Sequence, residues 1–332
     1  MKNMKSEKFS VGVILPSYKR PEDLRTCLKA FTRQTLSPNE IVVVYRDTDQ
    51  ENFRVIQEVR DSVANLRPVA VTEPGLACAM TRGLNHAKSD IVAFTDDDAI
   101  PDENWIEEIH AFFQKHPEAG GVGGRDRLVT GLDYKDRSES KSVFGKLDLF
   151  GKFHGNHHCP PVNELTEIHY PKGVNMAWRR ELISGLDISE GMAGEGTVLG
   201  TEMLIGYYVK AQKFRNYFSK NISVLHNCGK REKGDERDHN LHYDSQVRHN
   251  QYFTVSRYGP RHRLWLAFLR TSLVGGSRHP GFLVIPFLFK KKYKLPDWKK
   301  MQRSAVQGWS SGLERRGRKM EAKLVGCLGK MF

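Results

Sequence analysis

Asp96-Asp97-Asp98 closes the apolar run Ile91-Val92-Ala93-Phe94-Thr95. Three adjacent carboxylates repel one another, so a positive partner is expected. A divalent cation is the simplest one. Mg²⁺ and Mn²⁺ favour carboxylate oxygens, and Mg²⁺ commonly bridges protein carboxylates to substrate phosphates. The β-rich run before the triplet reads as a buried strand. Ligands of open α/β sheets bind beyond the carboxyl ends of such strands, where the triplet lies. An acidic surface turn leading into a helix near Pro101-Asp102-Glu103 is the competing reading, and the triplet alone does not separate the two. A second group, His154, His157, His158 and Cys159, has zinc-type donors. No second ligand pair at the usual spacing accompanies it, so a plain loop is the better reading.

The elements that must position the triplet alternate. Val11–Leu15 is a short strand, and Pro21-Glu22-Asp23 opens a helix, because proline and acids suit a helix N-terminus. Leu24, Cys27, Leu28 and Phe31 mark that helix's buried face. Strands are predicted at 41–45, 68–72 and 91–95, and helices near 52–60, 76–88 and 105–116. This β-α-β-α order calls for a mostly parallel, Rossmann-like sheet flanked by helices. After Gly120 the alternation fades, and 125–161 reads as long loops. Further on, the pattern predicts strands at 165–170 and 222–226, and helices at 174–183, 201–213 and 239–258. No internal repeat is present.

Charge is unevenly spread. The 332-residue chain carries a net +13. From Lys290 to Phe332, 13 Lys/Arg stand against Asp297, Glu314 and Glu321, a net +10, which leaves a near-neutral body of +3. The near-neutral body argues against a nucleic-acid-binding protein, which would interleave basic and aromatic residues across its fold. No apolar run reaches 18 residues, and residues 1–10 lack a signal-peptide core. Five scattered cysteines fit a reducing cytoplasm. Residues 264–295 alternate apolar aromatic patches with lysines and arginines. They suit either attachment to an anionic membrane surface or amphipathic helices packed on the body.

Taken in order, these segments resemble the family 2 inverting glycosyltransferases, over roughly residues 10–260. Leu15-Pro16-Ser17-Tyr18-Lys19-Arg20-Pro21 is similar to that family's first-strand segment, where the nucleotide docks, and Gln34 falls at a typical place. The second strand of the family ends in paired acids. Here Arg46 intervenes, and Asp47 and Asp49 are the available carboxylates. Gly75–Gly83 is similar to the segment before the fourth strand, with Arg82 facing a phosphate and Met80-Thr81 replacing the family's Arg-Asn. Asp96-Asp97-Asp98 matches the DxD motif. Lys172-Gly173-Val174-Asn175-Met176-Ala177-Trp178-Arg179-Arg180 resembles the acceptor-side segment GxNMxxRR. Glu202 aligns with the second acid of a Glu-Asp pair, and Thr201 replaces the first. Arg248–Phe253 resembles a packing helix that follows the domain.

The resemblance implies a GT-A fold with a C-terminal helical extension. Residues 1–260 would form the catalytic domain, divided into a nucleotide-binding half at 10–124 and an acceptor half at 125–260. Residues 261–332 would be the extension. It further implies transfer of a sugar from a nucleoside diphosphate, with UDP expected, to a glycan or lipid-linked acceptor in polysaccharide or glycoconjugate synthesis. Pro16, Ser17, Tyr18, Arg20, Asp47, Asp49, Arg82, Asp96 and Asp97 would contact the nucleotide sugar. Gly173, Asn175 and Met176 would contact the acceptor. Asp98 and His226 would hold Mn²⁺ or Mg²⁺. Glu202 would be the base, with Glu195 as the alternative. The expected location is the cytoplasm, peripheral to the inner membrane face. A metal-dependent nucleotidyltransferase is the alternative function.

Overall fold

The computed structural model describes residues 9–130, 133–134, 143–155, 163–194, 196, 198–227, 241–274, 295–318, 321 and 325–326. The first half runs β1 (Val11–Ser17), α1 (Pro21–Ala30), β2 (Glu40–Arg46), α2 (Gln50–Val59), β3 (Leu66–Val71), α3 (Leu76–His86), β4 (Ile91–Phe94), β5 (Ala99–Pro101) and α4 (Trp105–Lys115). The second half runs β6 (Ala119–Thr130), β7 (Asp133–Tyr134), β8 (Lys146–Leu147), β9 (Phe153–His154), β10 (Leu165–Ile168), β11 (Met176–Arg179), α5 (Arg180–Ile183), α6 (Thr201–Ala211) and β12 (Arg215–His226). Helices α7 (Leu241–Tyr258), α8 (Arg261–Leu273) and α9 (Leu295–Arg315) follow.

The main sheet is ordered β10-β12-β6-β11-β4-β1-β2-β3. Strands β3, β2, β1 and β4 are mutually parallel, so their carboxyl ends share one edge. Alternation along β1 divides the core. Val11, Val13 and Leu15 face α1, α2 and α4, whereas Ile14 faces α3 and α6. The helix faces meet them with Leu24, Cys27 and Leu28 on α1 and with Met80 and Leu84 on α3. Burying each larger aliphatic chain contributes about 1.5–3 kcal/mol.

Three registers bring the acceptor half to that edge. Strand β11 runs antiparallel to β4 with Met176 opposite Phe94. Its entry, Lys172–Asn175, therefore lies beside the acidic turn that leaves β4. Strand β12 is parallel to β6, with Val224 beside Asp126. The short β5 then pairs antiparallel with the end of β12, setting Ala99 opposite His226. The residue before Ala99 is Asp98, so this pairing carries the acidic turn to the histidine.

Two stretches differ from their sequence pattern. Residues 119–130 form a twelve-residue strand, where 125 onward reads as loop. Its glycines depress β-propensity, yet they are needed for close approach. A methyl group on Gly124 would overlap the Ile222 carbonyl, and one on Gly121 would overlap the Trp178 ring. Residues 174–183 read as one helix but split into β11 and the single turn α5. The apolar run Met176-Ala177-Trp178 belongs to a strand buried on both faces rather than to a helix face.

Beyond Pro260 the chain packs on the acceptor half. Leu264, Ala267 and Phe268 of α8 share one apolar cluster with Ala305, Val306 and Trp309 of α9, Tyr252 of α7, and Met203 and Tyr207 of α6. Among the described residues no helix is long and apolar enough to cross a membrane. Gly124→Ala is expected to cost about 3 kcal/mol by forcing β6 and β12 apart. Urea or thermal unfolding reads this directly, and an unchanged midpoint would mean that the two strands separate there without loss.

Candidate active site

Repulsion within Asp96-Asp97-Asp98 is relieved in three directions. Asp97 turns inward and is buried. Its Oδ2 accepts from Ser17 Oγ at 2.7 Å, and Ser17 Oγ accepts in turn from Asn52 Nδ2 at 2.7 Å. Asp98 is also buried, and its Oδ2 accepts from Arg20 Nη1 at 2.7 Å. The same Arg20 nitrogen lies 3.3 Å from Asp97 Oδ1. On its other side, Asp98 Oδ1 is 3.2 Å from His226 Nε2. Asp96 is half-buried and lines the open cleft above the turn.

The electrostatics follow from these contacts. Burial raises Asp97 to about 7, against the pull of Arg20 and the Ser17 hydrogen bond. Burial also opposes charge on Asp98, but His226 and Arg20 together hold it far below the usual carboxylate range. The shorter Arg20 contact goes to Asp98, which agrees with Asp98 being the firmly ionised member. Burial works against the Arg20 guanidinium too, yet the charges of Asp97 and Asp98 raise it above its ordinary value.

A fourth carboxylate organises the far side. Asp126 on β6 accepts from His226 Nδ1 at 3.0 Å through Oδ1, while its Oδ2 pairs with Lys172 Nζ at 3.1 Å. Sequence reading missed Asp126 because the strand that carries it read as loop. The usable signal was a lone acid between Arg125 and Arg127 directly after a glycine run. With Nδ1 engaged, His226 directs Nε2 at the acidic turn. A carboxylate behind an imidazole is the usual support of a metal-ligating histidine. Donor atoms of Asp96, Asp98 and His226 lie within 4.8 Å of one another. Two carboxylates and one imidazole suit a small divalent cation such as Mn²⁺ or Mg²⁺, so the residues present fit such an ion.

The cleft is walled by Pro16 on β1, Asp96 after β4, Lys172 and Gly173 before β11, Glu202 on α6, and His226. Glu202 sits in the first turn of α6, half-buried, with Thr201 Oγ1 donating to its Oε2 at 3.4 Å. A side chain added at Gly173 would meet only that carboxylate oxygen, at 3.9 Å. Gly173 therefore keeps the space before Glu202 open. Asn250 on α7 fixes the approach to α6. It donates to the Ala193 and Leu199 carbonyls and accepts from Ala193 N–H at 2.7 Å.

Other sequence-predicted residues take different positions. Asp49 is buried and caps α2, accepting from Asn52 N–H and, at 2.6 Å, from Lys19 N–H. Asp47 is exposed at the end of β2, so it is the acid that faces solvent there. Tyr18 is exposed beside Lys19, whose Nζ lies 5.3 Å from its ring centre. Arg82 is exposed on α3 near Glu73 and is not in the cleft wall. Asn175 and Met176 are fully buried. Asn175 accepts from Trp105 Nε1 and donates to the Arg125 and Ile222 carbonyls, so it holds strands together, and Lys172 and Gly173 face the cleft instead. Gln34 bridges the Asp102 carbonyl and the Ile106 N–H at the start of α4. His154 binds Asp148, and its would-be zinc partners 157–159 lie outside the described residues, as does Glu195.

Residues 12–169, just under half the chain, match the family model described as Glycosyl transferase family 2. A glucosyl-dolichyl phosphate glucuronosyltransferase of Haloferax volcanii is 25% identical over 202 residues, 59% of this chain and 61% of the relative. The amylovoran biosynthesis glycosyltransferase AmsE of Erwinia amylovora is 32% identical over 114 residues, 33% of this chain and 42% of that one. The chain thus spans about three fifths or less of the length of these two curated relatives. Among solved structures, S. aureus TarS 1–349 in complex with UDP-GlcNAc superposes with a TM-score of 0.61 at 14% identity, covering 96% of this chain and 89% of TarS 1–349. The fold is therefore GT-A.

Asp126→Asn should release His226 while leaving the fold intact. Mn²⁺ affinity, read by isothermal titration without donor, is expected to fall about 10–100-fold. Unchanged affinity would show that His226 needs no support from β6.

Proposed function

We propose, from the match of residues 12–169 to the family described as Glycosyl transferase family 2, that this chain transfers a sugar from a nucleoside diphosphate sugar to a hydroxyl acceptor with inversion. One observation carries the reading. A single cleft is lined by Asp96 and His226 together with Glu202, and Gly173 leaves space before that carboxylate. A direct displacement needs both leaving-group stabilisation and a base within one such cleft.

The steps follow from charge. Breaking the anomeric bond puts negative charge on the departing diphosphate. A divalent cation held by Asp96, Asp98 and His226 would neutralise that charge as it develops. Arg20 and His226 keep Asp98 ionised for this role. Asp126 keeps the His226 ring oriented. The acceptor hydroxyl must lose its proton as it attacks, and the Glu202 carboxylate would take it. One displacement with one base inverts the anomeric centre. Asp47 and Tyr18, both exposed near the carboxyl ends of β1 and β2, are the groups for the nucleoside.

TarS was solved with UDP-GlcNAc, which supports a UDP-linked donor. The names of the two relatives point to a lipid-linked or polysaccharide acceptor. With such an acceptor, the cytoplasmic face of the cell membrane is the proposed place of action. The family match does not favour a nucleotidyltransferase, and a base facing the acceptor is not needed for that reaction.

A panel of UDP-, GDP- and dTDP-sugars, read as nucleotide release, tests the activity. UDP sugars should be consumed first, and formation of UTP and sugar 1-phosphate from a UDP sugar on addition of pyrophosphate, with no nucleoside diphosphate released, would replace this reading with the nucleotidyltransferase one. Asp98→Ala should weaken Mn²⁺-dependent UDP-sugar binding by at least about tenfold. Equal binding with and without Mn²⁺ in both forms would remove the metal role. Glu202→Gln should keep donor affinity and lower kcat by about 10²–10⁴. Turnover at the wild-type rate would place the base elsewhere.

A further inference from the structure

The exposed apolar side chains of the described residues are concentrated in one place. Apart from Tyr18 and Leu36, every exposed large hydrophobic lies either on the turn between β8 and β9 or on α8 and its end. Leu149 and Phe150 at the turn are 67% and 78% exposed. On α8, Trp265 is 49% exposed with its ring edge-on to Trp309 of α9 at 4.6 Å, and Leu266, Leu269 and Leu273 are 42–50% exposed. Their spacing of three and four residues puts them along one helix face, opposite the Leu264, Ala267 and Phe268 face that packs on α7 and α9.

The two sets adjoin. A methyl group on Gly151 would overlap the Ala267 backbone of α8, so the turn lies directly against that helix. Gly151 also adopts φ +76°, which a side chain would strain. The turn is firmly built. Asp148 Oδ1 accepts from the N–H groups of Phe150 and Lys152 at 2.9 and 2.8 Å, and its Oδ2 holds His154 Nε2 at 2.7 Å. A turn fixed by four groups therefore holds Leu149 and Phe150 out in solvent. Large contiguous apolar patches of this kind mark interaction surfaces.

Charge selects the partner. Helix α8 carries no Asp or Glu. On the turn, Lys152 is exposed beside Phe150, and on α8 Arg270 is half-buried among the leucines. A second copy docked face to face would bring the Lys152 and Arg270 charges of this patch towards their own kind, and like charges suppress such pairing. An anionic lipid surface offers both what the leucines need and what the lysines and arginines need.

We propose that the β8–β9 turn and the outer face of α8 form an interfacial docking surface for an anionic membrane, with Leu149 and Phe150 entering the headgroup boundary and α8 lying along it. The helix that docks packs through the same apolar cluster as α6, which carries Glu202. Docking would thus present the acceptor side of the cleft to a lipid-linked substrate. That last consequence rests on the transfer reading above, whereas the docking surface does not.

Flotation of the full chain in a density gradient tests the surface without donor or metal, so its outcome is separate from that of transfer. The chain should float with phosphatidylcholine vesicles containing phosphatidylglycerol and stay behind with phosphatidylcholine alone. L149E/F150E should lower the bound fraction about tenfold or more, with an unchanged melting midpoint because Asp148 and the turn backbone are untouched. L266E/L269E should do the same. Wild-type chain that fails to float, or variants that float like wild type, would overturn the proposal. A dimer in light scattering that L266E/L269E splits in the absence of vesicles would also overturn it, and would assign the face to a second copy.

Discussion

Three carboxylates on one turn at a sheet edge need positive charge from several directions, and supplying it ties the two halves of the molecule together. Asp97 takes the loop after β1 through Ser17 and Arg20. Asp98 takes Arg20 on one side and the end of β12 on the other. His226 passes the connection to Asp126 on β6, and Asp126 passes it to Lys172 before β11. Five segments far apart in sequence are thereby held at one edge. Buried charges in such a chain stabilise only when all are satisfied, because removing one partner leaves another buried and unpaired. Asp97, Asp98 and Asp126 accordingly each have charged or hydrogen-bonding partners, and Arg20 serves both Asp97 and Asp98.

Much of this was legible in the sequence because it is local. The alternating strands and helices up to Lys115 announce themselves by period, by Pro21 at a helix start and by acids in first turns. The acidic triplet, the Glu202 helix and the His226 strand end are likewise short-range signals. What escaped is what depends on pairing between distant strands. A glycine-rich segment reads as loop until Trp178 and the Ile222 carbonyl are seen lying against it. Asp126 could not be weighed while its strand was invisible. Asn175 was assigned to the acceptor because its motif sits beside the site, yet its side chain is consumed by Trp105, Arg125 and Ile222. A motif fixes a neighbourhood, and the hydrogen-bond partners decide which of its members faces outward.

The same distinction separates Asp47 from Asp49. Two acids in a Tyr-Arg-Asp-Thr-Asp run are equivalent on paper. Only Asp49 has a helix N-terminus to cap, and capping buries it under Lys19 and Asn52. Asp47 keeps its carboxylate in solvent by default. Asp97 and Asp98 divide in a comparable way. Both meet Arg20, but only Asp98 also meets a histidine, and that second partner is enough to keep it charged where Asp97 is pushed upward.

Positioning of Glu202 comes from two sides. Asn250 on α7 pins the segment that enters α6, and the cluster shared by Met203, Tyr207, Tyr252 and Phe268 holds the helix from behind. The second support is apolar and close-packed, so a displacement of α8 has no void to absorb it and must be felt at α6. The acidic turn, by contrast, rests on hydrogen bonds and ion pairs with Ser17, Arg20 and His226 at the sheet edge. The two sides of the site are therefore supported in different ways. One is anchored by charge to the sheet, and the other by packing to the C-terminal helices. A force applied at the outer face of α8 would act through this packing on the helix that carries Glu202.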